Sequence, residues 1–471
     1  MMSDGPIIKP ECIPQEAWDQ SGPAARACFL MLVERLEKLE RLLGMNSGNS
    51  SRPPSTDGPG VTPPKTKAKS SKKRGGQAGH VKRVRPLIPT DQCDSVKYYK
   101  PSACADCGTK LSGTDSSPAR HQVTELPTVK PIVTEHQIHS LECPHCGKIC
   151  RGQMPLHVPA GSFGPTVVST ITMLSSLGRL SQRMMAQLLR DLFDLEISDG
   201  QISRLQTIGR KALQSGYEEI TADVRQSAAV NMDETGWREN GLKAWLWTVV
   251  GRASTLFSIR RTRSRSVVTE LLGAEFGGII GSDRYSAYSH LDDHRHQFCW
   301  AHLLRDFQAM IERKGPSAQI GTELKSSGQE LIHHWNRLQD GVLRRATFDN
   351  HFRRLRSIIL DTLESGASCS DSKTAEVCRR LGNECYSLFV FVHHAGVSPT
   401  NNVAERALRK SVIFRKLSFG TEASSGSQNM SVILSVVETC RRLNRHCLTF
   451  IKDAVQAFFS QTSAPALIPV Q

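Results

Sequence analysis

The sequence predicts a multidomain α+β chain, and three observations lead there. A helix-spaced stripe of leucines gives way to a basic stretch rich in Gly, Ser and Pro. Two C-x-x-C-G motifs follow, and beyond them strand patterns alternate with helical ones. At 471 residues the chain exceeds one ordinary core. Its 60 Lys and Arg against 45 Asp and Glu leave a formal net charge of +15. That excess favours a polyanionic partner, nucleic acid before a membrane surface. No apolar run approaches the ~20 residues of a spanning helix, so no membrane partner is expected. The N-terminal MMSDGPIIKPECIP has no basic start followed by an apolar stretch, so no secretory signal is expected. Fourteen cysteines in such a chain read as reduced thiols, some of them metal ligands, and the expected location is cytoplasmic.

Residues 1–45 form the first expected unit. Phe29, Leu32, Leu36, Leu39 and Leu43 alternate spacings of three and four, with charges on both flanks. The stripe spans barely two heptads, so it either packs on its own domain or forms a short dimerising zipper. Residues 46–90 have almost no apolar content and read as a disordered linker. Between Lys65 and Arg85 stand nine cationic side chains, Lys72, Lys73 and Arg74 among them, and no acid. Such a run is either a solvated spacer or a sequence-independent grip on DNA phosphates.

Residues 91–160 read as a zinc ribbon. Cys104-Ala-Asp-Cys107-Gly and Cys143-Pro-His-Cys146-Gly are matched knuckles whose four sulfurs can surround one structural Zn²⁺. The β-branched alternation of 122–143 predicts a small sheet between them. Residues 161–222 are helical, with Ser198 capping a second helix. This pair either resembles a helix-turn-helix that binds DNA or is core packing.

Residues 223–416 carry the catalytic pattern. SAAVNMD (227–233), AWLWTVV (244–250) and TLFSIRR (255–261) read as strands, then RSVVTELLG as a helix. GGIIGSD (277–283) is a buried strand and QFCWAHLLRDF (297–307) a strand running into a helix. The order β-β-β-α-β-α-β is that of a ribonuclease-H-like domain, here with a helical insertion at 303–395. Asp233 and Asp283 then stand at neighbouring strand ends. Glu405, on a helix begun by Pro399 and two asparagines, supplies a third acid; Glu234, Asp292 and Asp293 are rivals. Three converging carboxylates suit a pair of Mg²⁺ (or Mn²⁺) ions engaged in phosphoryl chemistry. Arg284, Arg406, Arg409 and Lys410 would hold the DNA backbone. Trp237 and Trp300 are either base-stacking platforms or core aromatics. His302 is either a phosphate contact, together with Arg305, or a satisfied core histidine. Residues 417–471 are expected to be a C-terminal helical segment and tail. A DNA-binding regulator without catalysis, and a ribonuclease-H-like nuclease, are the alternatives these residues leave.

Several of these stretches together resemble the transposases of the insertion sequence 66 family over nearly the whole chain. They are the leucine stripe, RGGQAGH (74–80), both knuckles, MDETGW (232–237), SDRYSAY (282–288), CWAHLLRDF (299–307), NNVAERALR (401–409) and 431–455. The resemblance implies a DDE metal site made of Asp233, Asp283 and Glu405, a ribonuclease-H-like fold and DNA transposition. It also implies small accessory proteins from the same mobile element. Pairing two transposon ends would require at least a homodimer, on nucleoid DNA in the cytoplasm.

Overall fold

The structure, a computed structural model, describes residues 13–47, 50–52, 57, 85–178 and 180–469. Lys72, Lys73 and Arg74 lie outside the described residues, with most of the expected linker. At the N-terminus, α1 (Gln15–Asp19) precedes α2 (Pro23–Gly44), which a proline opens at a position where its missing N–H costs nothing. Leu32, Leu36, Leu39 and Leu43 are each at least half exposed, so the stripe is not packed on its own domain.

The cysteine module is two copies of one turn. The Cys104 N–H donates to the Thr109 carbonyl at 2.9 Å and Gly108 N–H to the Cys104 carbonyl at 3.0 Å. Cys143, Lys148 and Gly147 repeat this at 2.9 and 2.8 Å. Gly108 and Gly147 sit at φ 70° and 71°, a left-handed conformation that favours glycine. The expected sheet between the knuckles is corrected. Strands β1 (Ser140–Glu142) and β2 (Ile149–Arg151) instead flank the second knuckle, and an Ala103–Lys110 bridge flanks the first. Pro127 and Pro131 withdraw backbone donors from the intervening segment, and Val123, Leu126, Ile132 and Val133 there are 80–96% exposed. Alternation with no surface to bury against does not make a sheet.

Four helices follow: α3 (Pro165–Met173), α4 (Gln182–Phe193), α5 (Asp199–Ala212) and α6 (Gln214–Gln226). The Ser181 and Ser198 side chains accept the Met184 and Gln201 N–H groups at the starts of α4 and α5.

The central sheet uses β3 (Ala229–Glu239), β4 (Leu242–Val250), β5 (Thr255–Arg260), then α7 (Arg265–Leu272), β6 (Ile279–Ser282) and β7 (His296–Phe298). Its order is β5-β4-β3-β6-β7, with β3, β4 and β5 antiparallel and β6 and β7 parallel to β3. Asn240 and Gly241, both at positive φ, make the tight β3–β4 turn. Strand β3 does not end on Asp233 as its sequence suggested. Its pairing with β6 ends at Asn231, but the ladder with β4 carries it to Glu239.

After the sheet come α8 (Trp300–Glu312), α9 (Gly315–Gln339), α10 (Arg345–Gly366), α11 (Ser372–Asn383) and α12 (Val390–His393). They share a core built on Trp300, Phe307, Phe348 and Phe352. The chain returns as α13 (Asn402–Ser418), α14 (Ser424–Arg442) and α15 (Cys447–Ser460). The boundaries expected after residues 222 and 416 are not breaks in packing. One core joins Val168, Ile202 and Ile220 to Met232, Trp247, Val436 and Ile451.

Helix α14 has a specific task there. Strand β5 is an edge, and its outward N–H groups need acceptors in a buried setting. Ser431, Ser435 and Thr439, one turn apart, accept the N–H groups of Ile259 (3.2 Å), Phe257 (2.8 Å) and Thr255 (3.1 Å). Ser435→Ala should therefore cost about 1–3 kcal/mol by leaving the Phe257 N–H buried and unpaired. Urea denaturation would measure this as a lower midpoint with an unchanged slope, and an unaltered midpoint would refute the role.

Candidate active site

The pleat of β3 sorts its acids. Val230, Met232 and Glu234 alternate onto one face, and Val230 and Met232 belong to the first core. Asp233, Thr235 and Trp237 take the other face. There Thr235 Oγ1 accepts from Arg415 at 3.2 Å and Trp237 stacks on Phe414 at 6.2 Å between centroids. Asp233 thus faces α13, and Glu234 does not.

Asp283 follows the last residue of β6, where its carboxylate accepts the Tyr285 N–H at 3.0 Å and fixes the turn. Glu405 lies in the first turn of α13. Asn401, just before that helix, is 1% exposed and ties it to β3. Its side-chain amide donates to the Met232 carbonyl at 2.6 Å, and its own N–H reaches Cys299 Sγ at 3.1 Å. The Trp300 N–H donates to the Pro399 carbonyl at 2.9 Å, which pins α8 to the same junction.

Asp233 senses its acidic neighbours. Part of Asp233 is reachable by solvent, yet burial still pushes its carboxyl well above the ordinary range, reinforced by the charges of Glu234, Asp283 and Glu405. Glu405 Oε1 and Asn401 Oδ1 are buried acceptors without a hydrogen-bond donor. Cys299, His302 and Glu405 place donor atoms within 4.8 Å of one another. His302 Nδ1, itself buried and unpartnered, is 3.8 Å from Glu405 Oε1. Two unpaired oxygens thus stand beside a sulfur and an imidazole, a mixed donor set, while Asp233, Asp283 and Glu405 do not place three ligand atoms within 4.8 Å of one another.

Beneath the acids lies a polar layer that sequence reasoning missed. Glu234 accepts Tyr288 Oη–H at 2.6 Å and Arg263 Nε–H at 2.6 Å, so this fourth acid is already neutralised. Arg263 also lies over the Tyr285 ring, 3.3 Å from its centroid. His296 Nε2 lies 2.7 Å from Ser282 Oγ. Strict alternation along β3 is the signal that could have separated Glu234 from Asp233.

The basic residues divide. Arg406 and Arg409 are exposed beside Glu405. Arg284 is paired with Asp306 and its side chain is only 18% exposed, while Lys410 is held by Glu438 at 3.0 Å. Neither of those is a free phosphate contact, because its charge is already matched. Trp237 and Trp300 are core aromatics, 2% and 0% exposed, the latter donating to the Leu388 carbonyl at 2.7 Å. In the cysteine module each knuckle brings its own pair of sulfurs together, and hydrogen bonds with Thr109 and Cys104 lower Cys107 to about 7. Thiols poised to ionise are fit zinc ligands. No three of the four sulfurs lie within 4.8 Å of one another, so the described residues hold two half-sites.

Known protein families match most of the chain. A family profile described as "Transposase IS66 family" matches residues 160–429. The zinc-finger binding domain of transposase IS66 matches 101–147, and a family of unknown function, DUF6444, matches 16–86. The uncharacterized protein y4qI of Sinorhizobium fredii is 29% identical over 227 residues, 42% of this chain and 41% of that protein. A second from that organism, y4hP, is 22% identical over 401 residues, 76% of this chain and 71% of its own length.

The polar layer makes a pH prediction. Burial first, and His290 second, lower the His296 pKa from 6.5 to about 4. Between those values the unfolded chain takes up a proton that the native state refuses, so stability falls as pH falls through this window. The loss from this group reaches about 3 kcal/mol near pH 4. His296→Gln should flatten the stability–pH slope between 6.5 and 4 by one proton, as followed by denaturant titrations at several pH values. An equally steep variant would sink the assignment.

Proposed function

Since the chain belongs to the transposase IS66 family and carries its zinc-finger domain, we propose that it cuts DNA at the ends of a mobile element and joins the freed strands to target DNA through a DDE site. What supports this reading is that Asp233 stands on the β3 face turned toward α13 and that the charges of Asp283 and of Glu405, 172 residues further along the chain, both act on its carboxyl. The sheet order, with three antiparallel strands followed by parallel ones, supports a ribonuclease-H-like core.

Asp233 and Asp283 would hold Mg²⁺ (or Mn²⁺), and Glu405, whose Oε1 lacks a donor, would complete the ligand set and orient the nucleophile. When bound, the ions would acidify the attacking hydroxyl and offset charge on the leaving oxygen. Cleavage breaks a phosphorus–oxygen bond by attack of water and frees a 3′-hydroxyl. That hydroxyl then attacks a target phosphate and displaces the target's own 3′-oxygen, so hydrolysis leaves a phosphomonoester and the second step exchanges one phosphodiester for another. Asn401 keeps Glu405 at the edge of β3 throughout, and Glu234, tied to Tyr288 and Arg263, buttresses the strand. Arg406 and Arg409 draw the DNA backbone toward Glu405 by charge. Lys72, Lys73 and Arg74 add a sequence-independent tether. The exposed leucines of α2 fit a homodimer or higher assembly at paired ends, and accessory proteins of the same element complete the partners.

Asp233→Asn should abolish cleavage of a transposon-end substrate in Mg²⁺ while DNA affinity, followed by gel shift, stays unchanged. The substitution removes a metal ligand and leaves the basic surface intact, so a variant that still cuts would refute the site. The zinc reading has its own test. Cys104, Cys107, Cys143 and Cys146 should hold one Zn²⁺ with sulfurs at about 2.3 Å. Cys104→Ser should lose that ion and loosen residues 100–150 to proteolysis while the sheet domain stays folded. Full zinc retention would overturn the ligand set.

A further inference from the structure

The helical insertion contains a second cluster of metal-ligand type, made from residues the transposition reading does not use. Glu330 and His334 stand four apart on α9 and so share one face. His351 projects from α10 beside them, and one donor atom from each of the three lies within 4.8 Å of the others. His334 Nε2 is 3.4 Å from Glu330 Oε1. The imidazoles of His334 and His351 are stacked, 3.8 Å between centroids and 15° between planes.

Ordinary packing leaves two features of this cluster unexplained. The His334 side chain is 11% exposed, and its Nδ1 is buried without a hydrogen-bond partner, a cost of about 1–3 kcal/mol where nothing offsets it. Two stacked imidazoles also repel if both are protonated, so the stack requires at least one neutral ring. Arg354 donates to Glu330 Oε1 and holds that carboxylate in place while leaving Oε2 available.

We propose that Glu330, His334 and His351 form a binding site for a borderline transition-metal dication, Zn²⁺ before Co²⁺ or Ni²⁺, that clamps α9 to α10. Two imidazoles and one carboxylate select this class over Mg²⁺ or Ca²⁺, which prefer all-oxygen shells. Ligand atoms about 2.0–2.2 Å from the metal require the donors to draw closer, and His351, half-buried at the helix surface, can supply that by side-chain rotation. Three protein ligands leave a fourth position for water.

The test uses the full chain, stripped with a chelator and titrated with Zn²⁺, with bound metal counted by elemental analysis. The wild type should bind one equivalent more than the His334→Ala/His351→Ala double variant, whatever the cysteine knuckles hold. Titration with Co²⁺ should give a band set without thiolate charge transfer that is lost in the same variant. Should the double variant fold poorly, His351→Gln, at a half-buried position, serves instead. Its metal-free melting point should match the wild type, and its zinc-induced rise in melting temperature should disappear. Equal metal content in wild type and variants, or an undiminished zinc-induced rise in His351→Gln, would overturn the site.

Discussion

The hydrogen bond from the Asn401 side chain to the Met232 carbonyl is the contact on which the candidate site depends. About a hundred residues of helical insertion separate β7 from α13, and loop closure over that length supplies no positional accuracy of its own. The chain must therefore be pinned where it re-enters. Asn401 does this against the backbone of the residue preceding Asp233, and Cys299 Sγ and the Pro399 carbonyl anchor the same junction to the start of α8. Because these are backbone-directed bonds in a buried place, breaking one costs a full desolvation penalty, and the re-entry point is held firmly.

Packing organises itself around that junction. The insertion has its own core, centred on Trp300 and Phe307, while α13 closes a smaller one with Trp237, Leu246 and Leu408 against the sheet. The acids sit where these units meet the sheet, supplied by three elements with different tethers. A rigid frame of this kind lets the charges of Asp283 and Glu405 bear on Asp233.

Electrostatics then distinguishes acids that the sequence places side by side. Glu234 is matched by Arg263 and Tyr288, so it can be buried on the core face without a cation. Asp233, one residue away, has no such partner, and burial first, then the neighbouring carboxylates, raise its affinity for a proton. Arg284 and Lys410 show the same logic for cations: each is matched by a neighbouring acid, while Arg406 and Arg409 are exposed.

Local sequence carried the knuckle turns, the capped helices, the order of strands and the motifs around the three acids. These depend on glycine at positive φ, on Ser at helix starts and on two-residue or 3.6-residue periodicity, all of which act within a few positions along the chain. Other features depended on partners far away in sequence. The end of β3 was misplaced because its last six residues are held by β4 rather than by β6. The alternating segment before Cys143 formed almost no sheet because nothing covers its side chains. Ser431, Ser435 and Thr439 read as unremarkable helix residues until β5 lies beside them, and His334 and His351 become neighbours only when α9 and α10 pack. Tertiary structure decided these because a hydrogen bond, an ion pair or a stacked ring is fixed by distance in space, and a single sequence records only distance along the chain.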